Sequence, residues 1–236
     1  MNASFRPLPA IAVTEVPVVG GGSFPVRRVY CVGRNYLDHI REMGEADERD
    51  PPFFFQKPRD SIVHDGARIA YPLFTEDFQF EVELVIAIGR AGKNIPVKDA
   101  LDHIWGYAVG LDMTRRDRQF ESRDRRWPWE MGKSFDASAP CGPIAPARDA
   151  RHFKGCAITL SVNGVEKQRG DIGQMIWNVP EIVAQLSQQM KLEPGDLIYT
   201  GTPAGVGPVV PGDVIDARIE GLPSLAITIV PPAGES

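Results

Sequence analysis

Short apolar runs separated by turn residues dominate the pattern of hydrophobic and polar positions along the chain. The runs are rich in β-branched and aromatic residues, which is typical of strands rather than helices. The predicted strands cover residues 26–32, 53–57, 80–88, 107–111, 158–162, 165–168, 197–200, 214–219 and 225–230. Asn163-Gly164 separates two of them and is the strongest short hairpin signal, and Asp65-Gly66 is a second such signal. The pattern therefore predicts a protein made mainly of short strands.

Helical spacing of apolar residues is confined to a few segments. The predicted helices cover residues 34–44, 96–103, 113–121 and 175–190. Asn35 is the expected N-cap of the first helix. Pro180 is expected to bend the early part of the last one. Many short strands with few helices predict a mainly β fold with some helix (α+β), of the sandwich or roll type.

The N-terminal stretch differs in character from the rest of the chain. Residues 1–25 are rich in Pro, Val and Gly, which predicts an extended arm with a peripheral strand around residues 10–18. No linker or low-complexity stretch interrupts the sequence after this arm. Residues 26–232 are therefore expected to form one domain.

The composition of the chain indicates which kinds of binding partner and which cellular compartment to expect. The chain has 236 residues, 43% of them apolar, and a formal net charge of −5, so nothing in its charge favours nucleic acid or an anionic membrane. Three cysteines without CxxC spacing argue against a disulfide framework or structural zinc, and they fit a reducing cytoplasm. No apolar run approaches the roughly 20 residues of a spanning helix, and we expect no signal peptide.

Glu81 and Glu83 lie on one face of the predicted strand 80–88, because side chains alternate along a strand. Two carboxylates about 7 Å apart on an apolar strand repel each other and lose hydration. A bound cation relieves both costs, and carboxylates without His or Cys suit Mg²⁺ or Mn²⁺ better than zinc. The alternative is an edge strand on which both side chains face water, and for an isolated E-x-E motif that alternative is the commoner case.

Asp112 supplies a third carboxylate at the end of the strand 107–111. A third carboxylate ligand suits an octahedral metal site, in which water or substrate fills the remaining positions. The alternative is that Asp112 caps the helix predicted to follow.

His39 and Glu42 are three residues apart on the predicted helix 34–44 and therefore share a face. A carboxylate beside a histidine fixes its tautomer and raises its basicity, as a base that activates water requires. The alternative is an exposed polar pair. The charged run 45–50 predicts a mobile loop, which would make the helix part of a lid.

Several cations accompany these candidates. Lys133 lies among aromatic and small residues, which indicates a charged group inside a pocket. Lys57 either reaches solvent or stands beside a cleft as a counter-charge. The arginines of residues 114–119 favour a carboxylate substrate, although a basic run is usually a solvated face.

Six motifs together resemble the fumarylacetoacetate hydrolase family, in the family's order and across about residues 26–230. They are Cys31-Val32-Gly33-Arg34-Asn35-Tyr36, Phe53-Phe54-Phe55-Gln56-Lys57-Pro58, Glu81-Val82-Glu83, Gly110-Leu111-Asp112-Met113-Thr114, Lys133-Ser134-Phe135-Asp136, and Thr200-Gly201-Thr202-Pro203 with Gly205-Val206-Gly207. The resemblance says nothing about the N-terminal arm or about residues 123–126.

The resemblance implies a mixed β-roll fold, a homodimer and a small keto acid as substrate. It also implies a role for each matching residue: Glu81, Glu83 and Asp112 hold Mg²⁺ or Mn²⁺, Arg34, Arg116, Gln119 and Thr202 bind substrate, and His39, Glu42 and Lys133 are catalytic. The implied reaction is hydrolysis of a carbon–carbon bond of a 2,4-diketo acid, with fumarylpyruvate from the breakdown of gentisate and other aromatic compounds as the expected substrate.

Other reactions fit the same site. They are cleavage of other acylpyruvates, decarboxylation of oxaloacetate and isomerisation of a dienedioate. A non-catalytic binding module with a structural ion is the alternative from another class.

Overall fold

A computed structural model of the chain describes residues 10–44, 49–150, 152–232 and 234. Strands are its main elements. They are β1 (Glu15–Pro17), β2 (Ser23–Pro25), β3 (Arg28–Gly33), β4 (Phe53–Lys57), β5 (Ile62–Val63), β6 (Arg68–Ala70), β7 (Phe78–Phe80), β8 (Val82–Ile88), β9 (Ile104–Leu111), β10 (Thr114–Arg115), β11 (Ala139–Pro140), β12 (Ala145–Pro146), β13 (Ala157–Val162), β14 (Val165–Asp171), β15 (Asp196–Tyr199), β16 (Gly207–Pro208), β17 (Val214–Ile219) and β18 (Leu225–Val230).

Helices are few and short within the described ranges. The α-helices are α1 (Leu37–Glu42), α2 (Arg116–Arg125), α3 (Glu130–Lys133), α4 (Ala147–Ala150) and α5 (Val179–Gln189). Short 3₁₀ helices cover Arg59–Ser61, Val97–His103 and Ile172–Gln174. The predicted mainly β, α+β fold is confirmed.

A six-stranded mixed sheet in the order β12-β9-β8-β15-β3-β4 lies at the centre of the fold. Every residue of β8 is buried, as expected of a strand covered on both faces. Leu84 and Ile86 point into the larger apolar core, and Val85 and Ala87 point to the opposite face.

Two different layers cover these two faces. On the larger core lies a second, five-stranded sheet in the order β14-β13-β17-β18-β6, which makes a sandwich. The other face is covered in part by the β1–β2 hairpin, which inserts Val16 and Phe24. The strand expected near residues 10–18 is therefore present, whereas residues 1–9 of the predicted arm lie outside the described part of the chain.

The Asn163-Gly164 hairpin is confirmed. β13 and β14 pair antiparallel, and both turn residues have positive φ, 52° and 78°, as a tight hairpin turn requires. The Asp65-Gly66 prediction is wrong in part. These residues make a turn, but β5 pairs with β11 and β6 pairs with β18, so the flanking strands form no hairpin.

The helix boundaries depart from prediction where tertiary contacts compete. α1 begins at Leu37 without a side-chain cap, because Asn35 donates to the carbonyl of Thr200 (2.8 Å) and accepts from the N–H of Trp177 (2.7 Å). Pro180 lies in the first turn of α5, where it starts the helix instead of bending it.

One predicted strand is divided in the structure, and another lies at the edge of a sheet. The run 80–88 is interrupted at Glu81, so that β7 and β8 pair with different neighbours. β4, which matches the predicted strand 53–57, is an edge strand, and its first aromatic side chain, Phe53, is 38% exposed. Among the described residues, no helix is both long and apolar enough to cross a lipid bilayer.

Candidate active site

Strand register brings the three predicted carboxylates together. Val82 on β8 pairs with Leu111 on β9, and the next residue, Asp112, donates its N–H to the carbonyl of Glu81 at 2.9 Å. Asp112 therefore lies opposite Glu81, and Glu83 follows on the same face. One carboxylate oxygen from each residue lies within 4.8 Å of the others, and all three side chains are buried.

Asp112 does not cap a helix. Met113 and the two residues of β10 separate it from α2, whose N-cap position is Arg115. The carboxylate is instead directed at the other two acids. The solvated-edge alternative for Glu81 and Glu83 does not hold either, since these residues are 4% and 1% exposed.

Lys133 lies inside this cluster and is 2% exposed. Its Nζ donates to Glu81 Oε2 at 2.8 Å, to Asp112 Oδ2 at 2.9 Å and to Thr114 Oγ1 at 2.7 Å. These contacts use all three ammonium donors. The short helix α3 places the lysine there, in the aromatic surroundings noted in the sequence.

Lys57 is a counter-charge and does not reach solvent. Its Nζ lies 2.8 Å from Asp112 Oδ1, donates to the carbonyl of Met113 at 3.1 Å and also donates to the carbonyl of Lys133. The residue ends the edge strand β4, so its side chain reaches from the edge of the sheet to Asp112 in the acidic cluster.

Arg116 is buried as well, and not part of a solvated basic face. It donates to Glu81 Oε1 at 2.5 Å, to Gln119 Oε1 at 2.6 Å and to Gln79 Oε1 at 2.8 Å. Since Arg116 is the first residue of α2, the helix start anchors both Arg116 and Gln119 beside the carboxylates.

The neighbouring charges shift the pKa values of Glu81 and Glu83 in opposite directions. Burial opposes ionisation of Glu81, but the charges of Lys133 and Arg116 outweigh it and hold the pKa of Glu81 well below its usual range. Burial and the neighbouring charges of Asp112 and Glu81 raise the pKa of Glu83 well above its usual value. Burial also works against the charge of Lys133, yet the same two acids, Asp112 and Glu81, raise its pKa.

The donor set fits a hard divalent cation. Glu83 accepts the N–H of Gly201 at 2.8 Å but has no cationic partner among the described residues. Asp112 Oδ1 is buried without a partner of hydrogen-bonding geometry, although Lys57 is close. Three carboxylate ligands, of which Glu83 alone lacks a cationic partner among the described residues, suit Mg²⁺ or Mn²⁺.

His39 and Glu42 lie on α1 at the edge of the same pocket. His39 Nδ1 is 3.1 Å from Glu42 Oε2, and Glu42 Oε1 accepts the N–H of Gly205 at 3.0 Å. His39 is only 9% exposed, unlike the solvated pair of the alternative interpretation. Burial opposes ionisation of Glu42, but the hydrogen bonds from His39 and Gly205 lower its pKa.

The pocket gathers nine of the ten residues singled out in the sequence. They are Arg34, His39, Glu81, Glu83, Asp112, Arg116, Gln119, Lys133 and Thr202. Glu42 is the exception, since it does not line the pocket but contacts His39, which does. Residues 49 and 50 of the charged loop 45–50 are described, whereas residues 45–48 lie outside the described ranges.

The sequence gives no indication that Gln168 holds Thr202 in place. Gln168 is fully buried, donates to Thr202 Oγ1 at 2.8 Å and accepts the N–H of Val82 at 3.0 Å. A polar residue in a hairpin strand gives no sign of this role, because such positions usually face water. Gly201, which contacts Glu83, is signalled only by the glycine-rich loop.

Comparison with known proteins places the chain among enzymes. The family model described as fumarylacetoacetate (FAA) hydrolase C-terminal matches residues 28–230. A fumarylpyruvate hydrolase of a Ralstonia species is 46% identical over 179 residues, which are 76% of this chain and 93% of that protein. The mitochondrial oxaloacetate decarboxylase of Dictyostelium discoideum is 42% identical over 197 residues, 83% of this chain and 90% of that protein.

A solved structure extends the similarity to almost the whole chain. The fumarylpyruvate hydrolase of Pseudomonas aeruginosa, in complex with Mn²⁺ and pyruvate, superposes with a TM-score of 0.93 at 49% identity. The match covers 98% of this chain and 100% of that one.

Proposed function

The chain belongs to the fumarylacetoacetate hydrolase family, and we propose that it is a metal-dependent hydrolase that cleaves a carbon–carbon bond of a 2,4-diketo acid. Fumarylpyruvate is the proposed substrate, and fumarate and pyruvate are the products. The observation that carries the proposal is the set of three buried carboxylates in one pocket with His39. The Ralstonia and Pseudomonas relatives support the substrate, and the Mn²⁺ and pyruvate of the latter support the metal.

Glu81, Glu83 and Asp112 would hold the Mg²⁺ or Mn²⁺ ion. When bound, the ion supplies Lewis-acid charge to the oxygens of a keto acid. The chain surrounds this position with Lys57, Lys133 and Arg116. These three cations balance the three acids, so a substrate carboxylate would meet a net positive charge when the divalent ion is bound.

His39 acts as the general base. Because Nδ1 is held against the Glu42 carboxylate at 3.1 Å, the proton lies on Nδ1 and Nε2 is left as an acceptor. Nε2 takes a proton from the water that attacks the distal ketone carbon of the substrate. Glu42 stabilises the imidazolium that results. The bond between that carbon and the CH₂ of the pyruvate unit then breaks, which leaves fumarate and the enolate of pyruvate. The imidazolium of His39 returns the proton to the enolate carbon.

Lys133 stabilises the enolate of the departing pyruvate unit by its charge. All three of its donors already contact side chains, so it contributes a fixed positive field and no new hydrogen bond. Arg34, Arg116, Gln119 and Thr202 line the pocket and bind the substrate's polar groups.

α1 serves as a lid element. At the C-terminal end of α1, Glu42 accepts a hydrogen bond from Gly205 in the glycine-rich loop. Just before α1, Asn35 accepts a hydrogen bond from Trp177, which precedes α5. When α1 is seated, His39 faces the pocket and bulk water is kept from it. Opening of α1 would admit the substrate.

Oxaloacetate decarboxylation is the second candidate, because the Dictyostelium relative has that name. It would use the same carboxylate cluster and the same enolate stabilisation. Decarboxylation needs no activated water, however, so the His39–Glu42 pair favours hydrolysis. The acetylpyruvate arm of the assay below tests cleavage of other acylpyruvates, and a dienedioate added as a further substrate tests isomerisation.

We further propose that residues 26–232 form one catalytic domain and that the chain works as a cytoplasmic homodimer in the breakdown of aromatic compounds. The family match over residues 28–230 supports the domain. The three free cysteines, two of them buried, support a reducing compartment. Sedimentation of the purified chain tests the dimer.

The deciding assay uses the purified chain stripped with EDTA and reloaded with Mg²⁺ or Mn²⁺. We expect metal-dependent cleavage of fumarylpyruvate, slower cleavage of acetylpyruvate and little loss of oxaloacetate. The far-ultraviolet circular dichroism spectrum should persist after stripping, whereas a structural ion would take the fold with it. Faster turnover of oxaloacetate than of either diketo acid would contradict the hydrolase assignment.

A further inference from the structure

Arg123 extends the line of substrate-facing residues along α2. It follows Arg116 by seven residues and Gln119 by four, and these spacings place the three side chains on one face of a helix. Arg116 and Gln119 stand at the carboxylate cluster, and Arg123 also lines the pocket. The helix thus presents a second guanidinium farther out along the same pocket.

The pocket continues into a second cavity at this point. Both cavities are lined by Gly33, Arg34, Ile40, Arg123 and Trp129. The second cavity adds Arg126 and, as its one acidic residue among those described, Asp50. The outer part of the combined site, which does not include the acidic cluster, is therefore lined by positively charged and aromatic side chains.

The distance between Arg116 and Arg123 along α2 is of the same order as the length of a dicarboxylic diketo acid. Seven residues of α-helix rise about 10 Å, which separates the backbone positions of Arg116 and Arg123. Fumarylpyruvate has seven carbons, and its two carboxyl carbons are roughly 7.5 Å apart when extended. Oxaloacetate, with four carbons, spans only about half of that distance.

Local contacts orient the Arg123 side chain. Its guanidinium carbon lies 4.6 Å from the centre of the Phe120 ring, and its Nε donates to Asp124 at 3.3 Å. The side chain is 38% exposed, so it is accessible from the cavity. A planar guanidinium is suited to a carboxylate through paired hydrogen bonds.

We propose that Arg123 binds the distal carboxylate of the substrate and so selects dicarboxylic over monocarboxylic acylpyruvates. The inference rests on the proposed function and adds a specificity determinant to it. With one end of the substrate at the acidic cluster and the other at Arg123, the ketone to be attacked is held between them, in the pocket that His39 also lines.

The test compares two substrates that differ in the distal carboxylate. In Arg123→Gln, kcat/KM for fumarylpyruvate should fall about 10- to 100-fold, whereas kcat/KM for acetylpyruvate should change less than about threefold. Arg123→Lys should recover part of the loss, since it restores the charge without the planar fork. Turnover of acetylpyruvate also shows that each variant is folded and loaded with metal.

Arg125→Gln is the matched control. Arg125 lies on the same helix and is 57% exposed, and its guanidinium is 3.2 Å from the carboxylate of Glu121. It does not line the pocket. It should leave the ratio of the two kcat/KM values unchanged. An equal fall for both substrates in Arg123→Gln, or no fall for either, would overturn the distal-carboxylate role while leaving the hydrolase assignment intact. If the metal-loaded wild type cleaves neither substrate, the proposed function falls and this inference with it.

Discussion

Lys57 Nζ lies 2.8 Å from Asp112 Oδ1, and both side chains are inaccessible to solvent. The lysine comes from an edge strand and the aspartate from the end of a central one, so the ion pair joins the edge of the sheet to the acidic cluster. Burying charges costs several kcal/mol per ion and is tolerated only when they are compensated. Lys57 is therefore needed to keep three acids together before a cation arrives.

Lys57→Met should lower the free energy of unfolding of the metal-free protein by about 3 kcal/mol, because it removes one of the two cations that compensate the buried Asp112 carboxylate and leaves only Lys133. Urea denaturation in EDTA measures the loss, and added Mn²⁺ should recover part of it. Lys191→Met is the control: Lys191 is 61% exposed in its pair with Glu193, and such pairs contribute about 1 kcal/mol or less. Equal losses in the two variants would show that Lys57 has no special electrostatic role.

His39→Ala should reduce kcat for fumarylpyruvate by about 10²–10⁴, the usual contribution of a general base. Mn²⁺ affinity should be nearly unchanged, because His39 is not among the three carboxylate ligands. His64→Ala, which alters an exposed histidine bonded to the carbonyl of Glu15, should have neither effect. Wild-type turnover in His39→Ala would rule out the base assignment.

Glu42→Gln should lower kcat for fumarylpyruvate about 10²-fold or more, because a glutamine no longer fixes the tautomer of His39 or stabilises its imidazolium. The hydrogen bonds from His39 and Gly205 lower the pKa of Glu42, so in the wild type this contribution should persist below the pH at which an ordinary glutamate is protonated. Glutamine can still accept from Gly205, so α1 keeps its contact with the glycine-rich loop. Wild-type kcat in Glu42→Gln across the pH range would show that Glu42 does not act on the base.

Gly201→Ala should weaken Mn²⁺ binding and destabilise the fold. Gly201 has φ of +94°, a Cβ there would lie 2.7 Å from Asn35 Cβ, and its N–H is bonded to Glu83. Gly212→Ala provides the control, since Gly212 has φ of +101° with nothing within 4 Å. Both substitutions carry the strain of positive φ, which costs about 1 kcal/mol or more of the free energy of unfolding. Any larger loss of that free energy in Gly201→Ala measures the contact with Asn35. Similar results for both would mean that this contact is unimportant.

Local pattern accounts for much of the site. The two-residue period of the strand places Glu81 and Glu83 on one face, and the end of an apolar strand singles out Asp112. Helical spacing likewise places His39 beside Glu42. These predictions depend only on neighbours in the chain, which is why they require no knowledge of the fold.

Tertiary partners decide the rest. Asn35 has the character of a cap, but bonds to Thr200 and Trp177 override it. Lys57 is ambiguous in the sequence because only the position of its strand at the sheet edge shows where the side chain goes. Arg123 looks like one charge in a basic run until α2 is seen to lie along the pocket.

The most direct test of the account is Mn²⁺ binding to the wild type and to Glu83→Gln, followed by electron paramagnetic resonance of free Mn²⁺. Glutamine keeps the size of the side chain and removes the carboxylate that has no cationic partner among the described residues. Loss of an outer-shell partner alone weakens metal binding about 10- to 100-fold, so loss of this ligand should cost more than about 100-fold and abolish cleavage. One Mn²⁺ bound by the wild type and none by the variant at the same concentration is the predicted result. Equally tight binding by both proteins would contradict the three-carboxylate site.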